Sequence, residues 1–328
     1  MSTTKVTNLQ ILKKAAKKYG YKRGLVDHPY SEAIYITNGY KYFIARSKKK
    51  YGMYPTNPKF AEQLADDKTV TKRFLKKFNF RVIKGKQFYI SSTNGDSVPI
   101  QTKDKSNAAY KYAENINYPV FVKPNSGSQG SHARIIFNKN GLKKHISELK
   151  KNNVESFLVE KFTARPEYRI FSVAGKAEFM YRKQRITITG TGKHTIQELL
   201  DEKNFKPDST YLKELLKKEK KKVSSILDNN RQLYLQETAN ISLGANIIDY
   251  REKLPKSIHT WIKRLHDTTG LDVFGVDVFT KGEWDEPENY LIIEINSNPA
   301  LSGIYNDGKQ EKALKIWKKI MQNYFSLQ

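Results

Sequence analysis

A mixed α+β fold of the α/β kind is predicted by three features of this 328-residue sequence. Amphipathic segments of helical period alternate with short runs of β-branched and aromatic residues. Two late runs, Val273–Phe279 and Leu291–Ile295, read as buried strands, yet each carries a carboxylate. No internal repeat or long low-complexity linker interrupts the pattern, so strands and helices pack in layers around shared cores.

In chain order, residues 9–18 (LQILKKAAKK) predict a short amphipathic helix. Residues 33–45 predict two strands joined at Asn38-Gly39, a hairpin signal. A long amphipathic pattern runs from near Phe60 through Lys77. Strands are predicted at 80–84, 87–90 and 119–122, with a helix at about 105–115 between the last two. A strand at 133–137, a helix at 141–151 and strands at 156–160, 168–174 and 177–181 follow. Thr195 to Glu198 matches the S/T-x-x-E capping box, so a helix starts there and His194 is more a positional residue than a catalytic base. Lys203 to Asp228 is Lys-rich, contains Pro207 and has a helical pattern from Tyr211, which predicts an exposed helical excursion. A helix at 255–269 precedes the two acidic strands, and a last helix covers 308–325.

Composition narrows the function. No apolar run approaches the roughly 20 residues that span a bilayer. The first residues, MSTTKVTNLQ, lack an apolar signal region, so secretion is not expected. The absence of cysteine excludes disulfides, thiolate metal sites and a thiol nucleophile, and fits a cytoplasmic location. The net charge is +26, and only 12 of the 59 basic residues are arginine. A solvated lysine surface accounts for this charge as readily as an anionic partner. The lysines spread along the whole chain, with dense runs only at Lys48-Lys49-Lys50 and from Lys213 to Lys222. Nucleic-acid binders gather them on one element, so no nucleic-acid partner is expected.

The acidic strands carry the strongest chemical signal. Residues two apart on a strand share a face, so Glu294 and Asn296 aim two oxygen ligands at one spot. Asp277 adds a third, and such a hard oxygen set suits Mg²⁺. A pairing of Asp277 with a lysine, or its use as a helix cap, is the plainer alternative. Further upstream, Pro119 to Ser131 is an apolar strand ending in Lys123, then a loop with Gly127, Ser128 and Gly130. Glycine lets successive backbone amides approach a phosphate, although a plain turn has the same composition. The GxxxxGK[ST] spacing is absent, so this is not a Walker loop. Glu160 ends one strand and Glu167-Tyr168-Arg169 begins the next. A strand-edge charge at Glu160, or a salt bridge from Arg169 to Glu160 or Glu167, explains these residues equally well.

Taken in order, these segments resemble the ATP-grasp ligases, in particular the ATP-grasp region of cyanophycin synthetase and of bifunctional glutamate–cysteine ligase/glutathione synthetase. The resemblance covers roughly residues 55–305. Asp67-Lys68-Thr69-Val70-Thr71-Lys72 resembles the helix that opens the module, and Val122-Lys123-Pro124 with Gly127 and Gly130 resembles its phosphate lid. Val159-Glu160-Lys161-Phe162 resembles the adenine hinge, Glu167-Tyr168-Arg169 the acidic-Tyr-Arg motif, and Gly190 to Ile196 the GDGxHTI segment. Asn240-Ile241-Ser242 resembles the NLS turn, and Gly275-Val276-Asp277 and Ile293 to Pro299 the metal strands.

The resemblance implies two α+β lobes clasping ATP after a short amino-terminal domain, with boundaries at 1–65, 66–180 and 181–328. It implies ATP and Mg²⁺ or Mn²⁺ as cofactors, with two ions. Lys72, Lys123, Gly127, Ser128, Gly130, Glu160, Lys161, Phe162 and Glu167 would bind ATP. Asp277, Glu294 and Asn296 would hold metal, and Arg169, Arg185 and Asn240 would face the transferred phosphoryl group. The implied reaction joins a carboxylate and an amine, from amino acids or small peptides, through an acyl phosphate. A ligase modifying a protein or ribosomal partner, and a nucleotide-binding module without ligase activity, are the alternatives. No membrane span is expected, and a homo-oligomer is compatible. The sequence departs from the family at Thr191, where an aspartate is usual, at Gln236-Glu237, where an Arg pair is usual, at Leu243-Gly244-Ala245, where a double glycine follows NLS, and at Ser131-His132 in the lid.

Overall fold

The computed structural model describes residues 5–26, 33–46, 53–90, 105–126, 132–203, 205, 207, 209–236, 238–241 and 244–326. The chain forms two compact units, and it crosses between them repeatedly. The first unit holds Met1–Gly85, Thr163–Arg182 and Asp249–Gln328; the second holds Lys86–Phe162 and Lys183–Ile248.

The first unit opens with the helix Asn8–Lys18, started by a capping box in which the Thr7 side chain and Gln10 bond each other's backbone N–H. Its three-stranded antiparallel sheet has the order β1 (Lys22–Leu25), β2 (Ala33–Thr37), β3 (Tyr42–Arg46). The Asn38-Gly39 hairpin lies where the sequence places it, and β1 is an additional strand. The long amphipathic pattern from Phe60 to Lys77 is two helices, Lys59–Asp66 and Lys68–Lys77, and not one. Asp67 makes the break. Its backbone is extended, and its carboxylate accepts from the N–H groups of Thr69 and Val70, ending one helix and capping the next.

In the second unit the four-stranded sheet has the order β4-β7-β5-β6, made of β4 (Gly85–Tyr89), β5 (Val120–Pro124), β6 (Arg134–Ile136) and β7 (Ser156–Lys161). The helices Ser106–Asn115 and Lys139–Lys151 pack on it around Val120, Val122, Phe157 and Val159. The strand expected at 80–84 is reduced to one bridge, Val82 to Ile292.

The five-stranded sheet has the order β12-β9-β8-β13-β14. Its strands are β8 (Glu167–Val173), β9 (Lys176–Gln184), β12 (Asn246–Arg251), β13 (Val273–Phe279) and β14 (Leu291–Asn296). One face, carrying Tyr168, Ile170, Phe274, Val276 and Val278, packs against Ala61, Ala65, Leu75, Ile258, Ile262 and Leu265 of three helices. The alternate residues of β8 and β13 point to the other face, where Phe171 meets Tyr54 and Tyr54 stacks on Trp317 of the helix Gln310–Ser326.

A two-stranded ribbon, β10 (Thr187–Thr189) with β11 (Gln232–Tyr234), completes the second unit. The Lys-rich segment expected as an excursion carries the helix Ser209–Lys218, and its Leu216 is buried with Ile188, Ile196, Leu199, Leu227 and Leu233. Among the described residues, no helix is long and apolar enough to cross a membrane.

The core assignment makes a stability prediction. Phe274→Ala empties a fully buried site, and denaturant titration should show a loss of about 3–5 kcal/mol. Phe60→Ala, at a residue 74% exposed, should change stability by no more than about 0.5 kcal/mol.

Candidate active site

The acidic strands place three ionisable side chains in one row. Asp277 of β13 lies directly opposite Arg169 of β8 on one side and Glu294 of β14 on the other. Cross-strand partners share a face, so the row reads Arg169, Asp277, Glu294. The next row on that face is Phe171, Gly275, Asn296, which places the Asn296 carboxamide beside Glu294. A bulge beside this row makes it possible. Asp277 pairs with Glu294 but Val278 pairs with Ile292, so Ile293 is the extra residue. The bulge lets Ile292 and Ile295, three apart, both face the core while Glu294 faces away.

Arg169 donates from Nε to Asp277 Oδ1 at 2.7 Å and from Nη2 to Asp277 Oδ2 at 2.6 Å. This bidentate pair is nearly dry: the Asp277 side chain is 2% exposed and that of Arg169 15%. Burial disfavours the guanidinium charge, but Asp277, Tyr181 and Glu294 outweigh it and raise the pKa of Arg169 above the ordinary value. Asp277 and Arg169 pair with each other, a partnership different from the plainer pairings considered for each. Glu167 sits two residues before Arg169 on the same face of β8, opposite Phe279.

The oxygen donors fit a hard divalent cation. Two carboxylates lie side by side with one guanidinium, and Asn296 Oδ1 accepts from Asn298 N at 2.8 Å, which leaves it a second lone pair. Among the described residues there is no group of three His, Cys, Asp or Glu placed to hold a metal; the further oxygen donor beside the two carboxylates on this face is the Asn296 carboxamide.

Asn57 is a supporting residue with no sequence signal. Its Nδ2 donates to Val273 O at 2.8 Å and Ser297 O at 2.9 Å, and its Oδ1 accepts from Val273 N at 2.7 Å. It thereby ties the start of β13 to the segment after β14. Tyr54 does the same for the following turn by donating to Pro299 O. Lys72 lies on the helix Lys68–Lys77 and is buried. Thr71 next to it donates to Leu64 O and Asp67 O, so Asp67 and Thr71 shape the helix start.

The second unit has its own charged pair. Phe121 and Glu160 are directly opposite on β5 and β7, so Lys123, two residues on from Phe121, lies diagonally across from Glu160. Lys123 Nζ is 3.1 Å from Glu160 Oε2, with the two side chains only 7% and 1% exposed. Tyr112 lies close by, and burial together with the Glu160 charge pushes its phenol up. Lys161 is exposed and Phe162 half-buried. Gly127, Ser128 and Gly130 lie outside the described residues. His132, which follows them, is held by its backbone: His145 Nε2 lies 3.0 Å from His132 O.

Arg185 is placed by a stack, its guanidinium 4.0 Å from the centre of the Tyr234 ring. Asn240 starts a turn closed by Ala245 N donating to Asn240 O at 3.0 Å. In the segment before the helix Ile196–Glu202, Thr191 Oγ1 accepts from His194 N at 3.0 Å and lies 2.8 Å from His194 Nδ1. A threonine hydroxyl therefore fills the loop-capping place where the family pattern has aspartate. Gly190 is obligatory here, because a Cβ would fall 2.0 Å from Asp228 O.

Known proteins match in the same places. Residues 67–173 match the family described as carbamoyl-phosphate synthase L chain, ATP binding domain. The bifunctional glutathione synthetase of Pasteurella multocida superposes with a TM-score of 0.53 at 19% identity, over 90% of this chain and 40% of that one. The chain has the ATP-grasp fold. The glutathione biosynthesis bifunctional protein GshAB of Listeria welshimeri is 27% identical over 281 residues, which is 80% of this chain and 34% of that protein. Cyanophycin synthetase of Crocosphaera subtropica is 27% identical over 201 residues, 56% of this chain and 23% of that protein. The chain thus spans about a third of the length of the curated relatives it matches. ATP-grasp domains use ATP, generally with Mg²⁺.

Two measurements probe the buried charges of the second unit. Lys123→Met should cost about 3–5 kcal/mol in a denaturant titration, because it removes the ammonium beside the buried Glu160 charge, and adding Glu160→Gln should recover much of it. His145 is held below the ordinary imidazole range by burial and by Arg134, against the pull of Glu148. Folding therefore favours its neutral form: the stabilisation is present above about pH 6.5 and is lost as pH falls through the lower folded value. A Tm-versus-pH series should show His145→Gln with a shallower acid limb than the parent.

Proposed function

We propose that this protein is an ATP-dependent carboxylate–amine ligase that forms an amide bond on an amino acid or small peptide. The observation that carries the reading is the row Arg169, Asp277, Glu294, with Asn296 beside it, on a single face of one sheet. The GshAB and cyanophycin synthetase likenesses support it. In the proposed reaction a substrate carboxylate oxygen attacks the γ-phosphorus of ATP, the bond to the bridging oxygen breaks, and ADP leaves. The amine nitrogen then attacks the acyl carbon, the carbon–oxygen bond to phosphate breaks, and a proton is lost from nitrogen.

Each residue type answers a need of that chemistry. Phosphoryl transfer rests on positioning and charge neutralisation, and no covalent enzyme nucleophile takes part. Asp277, Glu294 and Asn296 would hold Mg²⁺, one ion or two, which would supply charge neutralisation to the phosphates. Arg169 keeps its proton at every working pH and offers its remaining N–H groups to the phosphoryl oxygens. Lys72 and Lys123 would take the α- and β-phosphates, with the segment containing Gly127, Ser128 and Gly130. Glu160 and the backbone of Lys161 and Phe162 would read adenine, and Glu167 the ribose. Arg185 and Asn240 are assigned to the transferred phosphoryl group. The absence of cysteine accords with a cytoplasmic site of action.

Hydroxylamine added to enzyme, ATP and pooled amino acids should trap a hydroxamate and release ADP. No ADP from any carboxylate and amine pair would sink the ligase reading, and ATP binding without turnover would favour a nucleotide-binding module. Glu294→Gln should lower turnover by about 100-fold or more with little change in Tm. Asp277→Asn should lower both, because it also loosens the buried Arg169.

A further inference from the structure

The turn that follows β14 is held from the amino-terminal end of the chain. Three backbone groups of residues 297–301 are bonded by side chains from the first 57 residues. Asn57 Nδ2 donates to Ser297 O at 2.9 Å. The Tyr54 hydroxyl donates to Pro299 O. Asn8 Oδ1 accepts from Leu301 N at 3.1 Å.

Asn8 joins two of these ties. Its Nδ2 lies 3.2 Å from Met53 Sδ and 3.5 Å from the Tyr54 oxygen. One carboxamide therefore holds Leu301 directly and meets the hydroxyl that holds Pro299. The helix Asn8–Lys18 does not need this carboxamide, because Thr7 and Gln10 already close its capping box. The start of the helix is fixed where Val6 and Asn306 exchange two hydrogen bonds of 3.0 Å. Tyr54 is fixed as firmly. It stacks on Trp317, and burial pushes its phenol up, so it keeps the proton it donates.

The turn reaches the charge row at two points. A Cβ on Gly275 would fall 3.0 Å from Pro299 Cβ and 3.6 Å from Arg169 Nε, so Pro299 and Arg169 close on the same spot of β13. Asn298 N donates to Asn296 Oδ1 at 2.8 Å, and this bond sets which lone pair of the carboxamide oxygen stays available. Asn298 has little freedom of its own. It stands between the Asn57 and Tyr54 ties, and the proline after it restricts its backbone.

We propose that Asn8 and Tyr54 are positioning residues for the metal site. Neither supplies a ligand; together they hold the turn that aims Asn296 Oδ1. Ligating groups are oriented by their outer hydrogen-bond partners, and losing such a partner costs roughly tenfold to a hundredfold in metal affinity. The proposal rests on the reading of Asp277, Glu294 and Asn296 as metal ligands.

Mn²⁺ binding to the whole protein with a non-hydrolysable ATP analogue, followed by electron paramagnetic resonance, tests it without turnover. Glu294→Gln marks the site by removing the bound Mn²⁺. Asn8→Leu is close in size but has no polar atoms, and it should weaken Mn²⁺ binding roughly tenfold. Asn8→Asp keeps an oxygen for Leu301 N and should stay within about twofold of the parent. Tyr54→Phe loses only the hydroxyl and should weaken binding as Asn8→Leu does; it decides alone should Asn8→Leu fold poorly. Unchanged Mn²⁺ binding in folded Asn8→Leu or Tyr54→Phe, or equal losses in Asn8→Asp and Asn8→Leu, would overturn the proposal and leave the metal reading standing. A parent protein without Glu294-dependent Mn²⁺ binding would overturn the metal reading and the proposal with it.

Discussion

The ion pair between Arg169 and Asp277 sits where β8 meets β13, with both side chains on a face of the sheet that has little water. Two hydrogen bonds of 2.6 and 2.7 Å hold it. A buried carboxylate without a cation costs several kcal/mol, so Asp277 depends on Arg169, and Arg169 on Asp277. The register of the central strands follows from this: a slip of one residue would turn the guanidinium into the core and bring an isoleucine out. The bulge at Ile293 solves the remaining conflict, letting β14 bury two isoleucines and still present Glu294. A charge row in the middle of an apolar sheet is thus compatible with folding only in this one alignment.

The second unit uses the same device with different residues. Lys123 and Glu160 are almost fully buried and satisfy one another across β5 and β7. Replacing such a pair with hydrophobic residues is often neutral or stabilising, so its presence is poor grounds for a stability role. Charges kept ready in a dry, pre-organised setting are what a polyanionic substrate needs, since little reorganisation is required when it arrives. The ligase reading gives both buried pairs one explanation.

Several residues that carry no chemistry decide whether the chemistry is held in place. Asn57 bonds three backbone groups at the ends of β13 and β14, and Asp67 ends one helix while starting another. Thr191 caps its loop through a hydroxyl, which explains how the departure from aspartate is tolerated: the loop requires an oxygen acceptor for the His194 N–H, and either side chain supplies one.

Most strands and helices were legible because their periodicities are strong, and the acidic strands were legible because a carboxylate in an apolar run is anomalous wherever it lies. The short strands β1, β10, β11 and β12 were not, since four or fewer residues, or a half-exposed run, carry no clear period. The Arg169 partner and the role of Asn57 were illegible for a different reason: each depends on residues more than one hundred positions apart, and the bulge depends on how β14 pairs with β13. By itself the sequence determined the kinds of element, the candidate ligands and the chemistry they favour, because these follow from local pattern and side-chain type. Only the tertiary structure decided which charges meet, which face of each strand is dry, and how the chain divides between its two units, because burial and pairing are properties of segments brought together.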